Sequence, residues 1–508
     1  MKMDTKQAEK IYLETREKIN AFSLAFYLNS IDVETESAPS ASLPYRSRQL
    51  SVIQSLIFDM STSEEFKTAV KVLFENREEL DSDLAHEILV RYEETEKLSK
   101  IPKEEYIEYA NMLNSVYPVY VEAKTKSDFS LFMPYLQKIF EYNRKYSAWV
   151  GTEEKSGYDV LLDEYEHGYS TKEYDKFFSL LKSKIVPLVK AVSEKKLEYN
   201  RSFVGKVYPA DRQREFCEYL RDVMCFDRER TAILESEHPF TTNNGNHDVR
   251  ITNHYYEDSV TSSIFSAIHE MGHGLYELQI DDKYEGTGAS GGASLAIHES
   301  QSRFMENMIA RSYEFWQAHF PKLKEIFPEQ LEGITALDFY RHVNEVERSL
   351  IRTEADELTY SLHVLIRYEI EKEVMEGKLE ARDIPAAWNS KYKEYLGVDV
   401  PSDREGCLQD MHWSGGSLGY FPTYSLGSAY AAQIYSAMSK DVDIAGEVRS
   451  GSILKIAEWL REKLHKYGSS KFPKELIYIA TGEAFDAKYY VDYLVGKYTE
   501  LYGVNLGE

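Results

Sequence analysis

The sequence predicts a mainly α-helical protein, and three observations predict it. Apolar residues recur at three- and four-residue spacing through most of the first 200 positions, with Lys and Glu between them. Helix breakers are scarce: 14 prolines and 26 glycines in 508 residues lie below average usage, so long helices can run uninterrupted. Strand-like alternation is confined to one short stretch after residue 236.

The elements follow in chain order. TKQAEKIYLETREKINAFSLAFYL, SRQLSVIQSLIFDM and TKEYDKFFSLLKSKIVPLVKAVSEKKLEYN each carry the helical stripe, whose first use is core packing. ESAPSASLPYRSRQ, around residues 36–49, is the best loop among them. Near residue 236 the texture changes. ESEHPFTTNNGNHDVRITNHYYEDS is rich in turn residues, and Val249 and Ile251 then alternate with Arg250 and Thr252. This predicts a strand over 247–256, with Asn243–Asn246 as a hairpin turn. Helix returns at about Ser262, where Thr261, Ser262 or Ser263 can cap it. The glycine-rich loop GTGASGGAS (286–294) precedes another helix from about Leu295. Residues 321–383 read as helix, 397–425 as a loop-rich stretch, and the remainder as helix almost to the C-terminus.

Composition narrows the function. A net charge of −25 repels phosphate backbones and anionic lipid, so nucleic-acid and membrane-surface partners are not expected. No stretch reaches the roughly 18 apolar residues of a membrane span. The first 20 residues show no apolar signal core. Cys217, Cys225 and Cys407 form neither a disulfide framework nor a metal-spaced CxxC pair, and the expected location is cytoplasmic.

The chemistry centres on His269-Glu270-Met271-Gly272-His273, an HExxH pattern. On a helix, positions i and i+4 share one face, so both imidazoles can reach one ion, and the Glu beside the first His lies near water activated there. Such a pattern also arises by chance on surface helices. Here Ile264, Ile268 and Leu275 make an apolar stripe around it, which suits a buried site. A second predicted helix carries His298-Glu299-Ser300, with Glu299 placed 26 residues after His273. Two imidazoles and one carboxylate leave a fourth tetrahedral position open for chemistry. The metzincin variant fails, because its Gly and third His positions hold Tyr276 and Gln279. The ligands His269, His273 and Glu299 thus point to a divalent ion, zinc by default. Glu270 is the general base for attack of water on a carbonyl.

Six ordered segments carry a resemblance to a known family. They are His238-Pro239-Phe240; Asp248-Val249-Arg250-Ile251-Thr252 (DxRxT); the HExxH itself; His298-Glu299-Ser300 with Gln301; Ile351-Arg352-Thr353-Glu354-Ala355-Asp356; and Gly406 through Trp413 (GxxQDxHW). In these, and in length and helical character, the chain resembles the carboxypeptidase Taq family of metallocarboxypeptidases. The resemblance implies a helical fold similar to the neurolysin and angiotensin-converting-enzyme group, with a deep groove and a small antiparallel β-sheet beside the metal. It implies one peptidase unit: approximately 1–235 as N-terminal helical lid and wall, and approximately 236–508 as the catalytic part with the metal site. It further implies broad removal of C-terminal residues from peptides, zinc or cobalt or another divalent ion as cofactor, and a homodimer.

The remaining roles are read with that resemblance in hand. A carboxypeptidase must grip a free carboxylate, for which the planar fork of arginine is best suited. Arg352, in a helical run, is the first choice and Arg250, on the strand, the second. The strand itself can pair with an extended substrate. His412 can donate to the oxyanion or to the substrate backbone. Of the two tyrosines in GYFPTYS, Tyr420 is preferred as oxyanion donor, with Tyr424 assigned to the substrate. Asp356 and Gln409 are expected to orient the ligating histidines, and Arg303 and Glu306, on the helix face of Glu299, can do similar work. Two alternatives stay open: an oligopeptidase or endopeptidase on the same scaffold, and a non-catalytic helical binding protein.

Overall fold

The chain begins with a group of helices that close a small core of their own. The computed structural model describes residues 3–35 and 37–505. Helices α1 (Thr5–Glu34), α2 (Leu43–Thr62), α3 (Glu64–Glu75) and α4 (Ser82–Ser99) come first. Tyr12 of α1 stacks on Phe66 of α3 at 5.4 Å, and Val70, Leu73 and Ile88 complete that core. The expected loop at 36–49 is mostly helical. Its Glu36 lies outside the described residues, and α2 already starts at Leu43. Pro44 falls in the first turn of α2, where its missing N–H costs nothing.

The body follows. Helices α5 (Lys103–Lys126), α6 (Phe129–Val150), α7 (Tyr158–Tyr165), α8 (Thr171–Ser193) and α9 (Ala210–Val223) share one hydrophobic core with the helices that follow residue 225. The N-terminal group is tied to this body by an Asn20 side-chain amide that donates to the carbonyl of Gly286 at 2.8 Å. An ion pair between Lys283 and Asp83, also 2.8 Å, adds a second tie.

Three strands come next: β1 (Thr231–Glu235), β2 (Thr241–Asn243) and β3 (Val249–Asn253), in sheet order β1-β3-β2. The sheet is small, as expected, but mixed rather than purely antiparallel. β2 pairs antiparallel with β3, Thr241 opposite Ile251, whereas β1 pairs parallel with β3, Thr231 opposite Val249. The chain reverses between β1 and β2 and again between β2 and β3, so β1 and β3 run the same way with β3 between its neighbours. The turn of the hairpin lies where the asparagines predict it, closed by the Asn244 N–H on the Asp248 carbonyl at 3.0 Å. Val249 and Ile251 are buried, and β2 is left at the sheet edge.

Helices α10 (Val260–Leu278) and α11 (Leu295–Arg303) carry the HExxH and HES segments. The start of α10 is Ser259, with no side-chain capping bond, and the three hydroxyl residues expected to cap it lie inside the first turn. Then come α12 (Tyr313–Ile326), α13 (Ala336–Val343), α14 (Glu357–Met375), α15 (Ile384–Tyr395) and α16 (Pro422–Met438). Helices α14 and α16 are buried on nearly every face, as central helices must be. Arg352 is not in a helical run. The chain between α13 and α14 is irregular apart from a single 3-10 turn, Arg352–Glu354. Four helices, α17 (Ile444–Arg449), α18 (Leu454–Lys463), α19 (Pro473–Thr481) and α20 (Lys488–Tyr502), close the chain.

Candidate metal centre and active site

Two close helix approaches build the centre. A Cβ on Gly272, the second variable position of the HExxH segment, would stand 2.8 Å from the Gln301 carbonyl oxygen and from Ser302 Cα. Glycine there lets α11 cross α10 nearly backbone to backbone. On the far side, a Cβ on Gly427 of α16 would stand 2.8 Å from Glu299 Cβ. Helix α11 is thus clasped from both sides, and its Glu299 is pressed toward the two histidines of α10. The Ser294 side chain caps the start of α11 through the Ile297 N–H at 3.1 Å.

Glu299 Oε2 lies 3.6 Å from His269 Nε2 and 3.5 Å from His273 Nε2. One ligand atom from each of the three residues lies within 4.8 Å of the others. The donor set, two imidazole nitrogens and a carboxylate oxygen, suits a divalent ion of zinc type. The neighbours fix charge and orientation. Burial opposes a negative charge on Glu299, but Arg303, donating at 2.7 Å, and the two histidines hold its carboxyl well below the usual range. Burial draws His273 down to about 3, so its ring is neutral and its lone pair is available. Burial also acts to lower His269, but Glu299 and Glu306 outweigh it and raise that ring.

Glu306 Oε2 sits 2.8 Å from His269 Nδ1. It lies in a buried π-helical stretch, Phe304–Ala310, that continues directly from α11, and such stretches are frequent at functional sites. Of the groups expected to orient the ligating histidines, Glu306 does so for His269, whereas Asp356 and Gln409 do not. Asp356 caps α14, accepting from the N–H groups of Leu358 and Thr359. Gln409 accepts from the Arg352 N–H at 2.9 Å and from Arg367 Nη2 at 2.8 Å.

Glu270 is buried, and its Oε2 accepts from Thr241 Oγ1 of β2 at 2.6 Å. Burial raises its carboxyl above the ordinary range despite His269 and that hydrogen bond, which makes it a better base at neutral pH. His269, Glu270, Arg303, Glu306 and residues 353–356 line one cleft of about 740 Å³.

The 3-10 turn at Arg352 and the loop after α15 meet in a second cluster. Arg352 is buried, donates to Asp410 and to the Tyr360 hydroxyl at 3.1 Å, and lies 4.8 Å over the Tyr424 ring. Tyr360 in turn packs under Arg303 at 4.3 Å, so one tyrosine joins Arg352 to the arginine that holds Glu299. His412 Nε2 is 3.2 Å from the Tyr424 hydroxyl, and burial draws its ring down to about 4 even with Asp410 nearby. The rings of Tyr420 and Tyr424 are 5.3 Å apart, and both hydroxyls feel the charge of Glu299. Arg250 stands apart from this cluster. It is half-buried on β3 and forked onto Asp248 at 2.6 and 2.7 Å. Sequence reasoning missed Thr241 and Tyr360, which carry no local pattern.

Comparisons with known proteins point to one family. The model of the carboxypeptidase Taq (M32) metallopeptidase family matches residues 13–498. Carboxypeptidase 1 of Bacillus subtilis (strain 168) is 40% identical over 501 residues, covering 98% of this chain and 100% of that one. Thermostable carboxypeptidase 1 of Pyrococcus furiosus is 41% identical over 386 residues, covering 74% of this chain and 76% of the relative. The crystal structure of the M32 carboxypeptidase from Deinococcus radiodurans R1 superposes with a TM-score of 0.93 at 35% identity, covering 98% of this chain and 100% of that chain.

Proposed function

The chain belongs to the carboxypeptidase Taq (M32) family of metallopeptidases, and on that premise we propose that His269, His273 and Glu299 hold one divalent ion, zinc by first choice, with Glu270 as general base for removal of C-terminal residues from peptides. The single observation that carries the reading is the convergence of those three ligand atoms within 4.8 Å, with the buried Glu270 beside them. When bound, such an ion polarises a carbonyl and acidifies water.

The residues of the chain do the rest. Thr241 occupies Glu270 Oε2, which leaves Oε1 to take a proton from water and hand it on to the leaving amine nitrogen. Tyr420 Oη–H is the donor to the carbonyl oxygen as it gains charge, with Tyr424 and a neutral His412 behind it. Arg352, or Arg250 in its place, grips the terminal carboxylate of the substrate, and Tyr424 flanks that grip. Residues 1–235 serve as lid and wall, and 236–508 as the catalytic part. The separate core of α1, α3 and α4 supports a lid that moves as a unit. A homodimer and a cytoplasmic location complete the proposal; the three cysteines are unpaired, and no helix among the described residues is long and apolar enough to cross a membrane.

Time-resolved mass spectrometry of a mixed peptide pool tests the activity. Loss of single residues from the C-terminus, blocked by C-terminal amidation, is expected. Cleavage at internal bonds at equal rates for free and amidated peptides would replace this reading with an oligopeptidase on the same centre. Light scattering of the eluting protein gives the oligomeric state.

A further inference from the structure

The two histidines of the centre are held differently. His269 Nδ1 meets the Glu306 carboxylate directly, at 2.8 Å. Among the described residues, His273 Nδ1 meets no carboxylate. Its partner is His298 Nδ1, at 2.6 Å, and His298 Nε2 lies 2.6 Å from Glu277 Oε1. We propose that Glu277 and His298 form a positioning relay that fixes the tautomer and ring orientation of His273, so that a carboxylate one imidazole removed does for His273 what Glu306 does for His269.

The hydrogen bonds assign each proton in turn. Glu277 is buried and surrounded by donors: the Asn243 side-chain amide bonds its Oε2, and the Gly292 N–H reaches Oε1 at 3.3 Å. A carboxylate so surrounded accepts, so the proton between it and His298 belongs to His298 Nε2. With that proton on Nε2, a neutral His298 has its lone pair on Nδ1. It can then only accept from His273, which places the His273 proton on Nδ1. The lone pair of His273 is left on Nε2, the nitrogen that faces Glu299 Oε2 at 3.5 Å. The tautomer required of a ligand is therefore dictated from two residues away.

The surroundings are shaped to the relay. A Cβ on Gly292 would stand 2.4 Å from His298 Cδ2, so only glycine lets the 286–294 loop close over that ring. The ring of Tyr276 packs on the same imidazole at 5.3 Å. Asn243 brings in the edge strand β2, and Gly292 the glycine-rich loop. Glu277, one turn beyond His273 on α10, and His298, the first residue of the HES segment, thereby gain a shared task.

The proposal rests on His273 being a ligand, and the test separates the two ideas. Full-length protein is stripped of metal and its Zn2+ dissociation constant measured by competition with a chromophoric chelator. Stoichiometric binding that is lost in His273→Ala upholds the ligand reading; binding that His273→Ala leaves intact overturns that reading and the relay with it. For the relay, His298→Leu and Glu277→Ala are each expected to loosen zinc by roughly 10–100-fold. Because they break one chain in series, the double variant should be no weaker than the poorer single. His298→Gln restores an acceptor for His273 and a donor for Glu277, and should recover most of the affinity. In cobalt-loaded samples the visible ligand-field bands should shift in His298→Leu and return in His298→Gln. Unfolding midpoints of the metal-free variants report folding, and His298→Gln carries the test if His298→Leu does not fold. Zinc affinity within about threefold of wild type in folded His298→Leu, additive losses in the double variant, or a His298→Gln no better than His298→Leu each overturn the relay.

Discussion

Arg352 and Arg367 share a single carboxylate, Asp410. Nη2 of Arg352 lies 2.8 Å from Asp410 Oδ1, and Nη2 of Arg367 lies 2.6 Å from Oδ2. All three side chains are buried or nearly so. Burial opposes the charge on Asp410, yet the two guanidinium groups hold its carboxyl far below the ordinary range. The arginine proposed to meet the substrate is thus fixed before any substrate arrives.

Removing that shared carboxylate leaves two buried cations facing each other. Asp410→Ala is expected to lose about 3–5 kcal/mol of stability, the usual cost of breaking a buried ion pair from one side. Chemical denaturation of wild type and variant under the same metal loading measures it. A loss under about 1 kcal/mol would mean that water or rearrangement compensates these charges.

The anchor itself can be identified by difference. Losing a charge-assisted contact to a carboxylate costs roughly 2–5 kcal/mol, or about 30- to several-thousand-fold in kcat/KM. Arg352→Ala should lower cleavage of free-acid peptides by such a factor and narrow the gap between free-acid and amidated substrates. Arg250→Ala, already forked onto Asp248, should leave that gap wider. The reverse order would move the anchor to β3.

Glu270→Gln keeps the shape of the side chain and its contact with Thr241 but removes the base. Turnover should fall by at least about 10²–10⁴-fold while one metal ion still binds. A chelator should abolish wild-type activity, and zinc or cobalt should restore it. Activity in demonstrably metal-free protein would dismiss the metal from the mechanism.

Glu371 of α14 predicts a pH dependence. Its carboxyl accepts from Tyr158 Oη at 2.6 Å, Trp413 Nε1 at 2.7 Å and the Gly419 N–H at 2.8 Å, which ties down the loop leading to Tyr420. Burial nonetheless pushes it up from 4.5 to about 7. Between those values the folded protein keeps a proton that the unfolded chain has released. Stability from this group is therefore complete below pH 4.5 and is lost as pH rises through 7. Glu371→Gln cannot ionise, so its stability relative to wild type should climb across that window by on the order of 3 kcal/mol. Denaturation curves at pH 4.5 and pH 8 measure the change, and an unchanged difference would remove Glu371 as its source.

What the sequence by itself determined is local. His269 and His273 stand four residues apart on an apolar-striped helix, so their shared face follows from helical period alone. The hairpin at Asn243–Asn246 and the start of α11 at Leu295 follow equally from turn and cap chemistry. The candidate third ligand, Glu299, followed from a carboxylate on the next predicted helix, and the resemblance of ordered segments then named the reaction, because those segments keep their order along the chain whatever the fold does between them. What only the tertiary structure decided is which groups those residues meet. Asp356 sits in a segment that marks the family, yet it caps α14, and the carboxylate at His269 is Glu306, from a π-helical stretch that residue spacing does not reveal. Arg352 lies in a 3-10 turn, held by an aspartate 58 positions away. His273 Nδ1 reaches Glu277 through His298, across a helix crossing that exists because Gly272 and Gly427 carry no side chain. Helix period fixes the face a residue presents; the partner it finds there depends on how closely two backbones approach, and that is set by packing among elements distant in sequence.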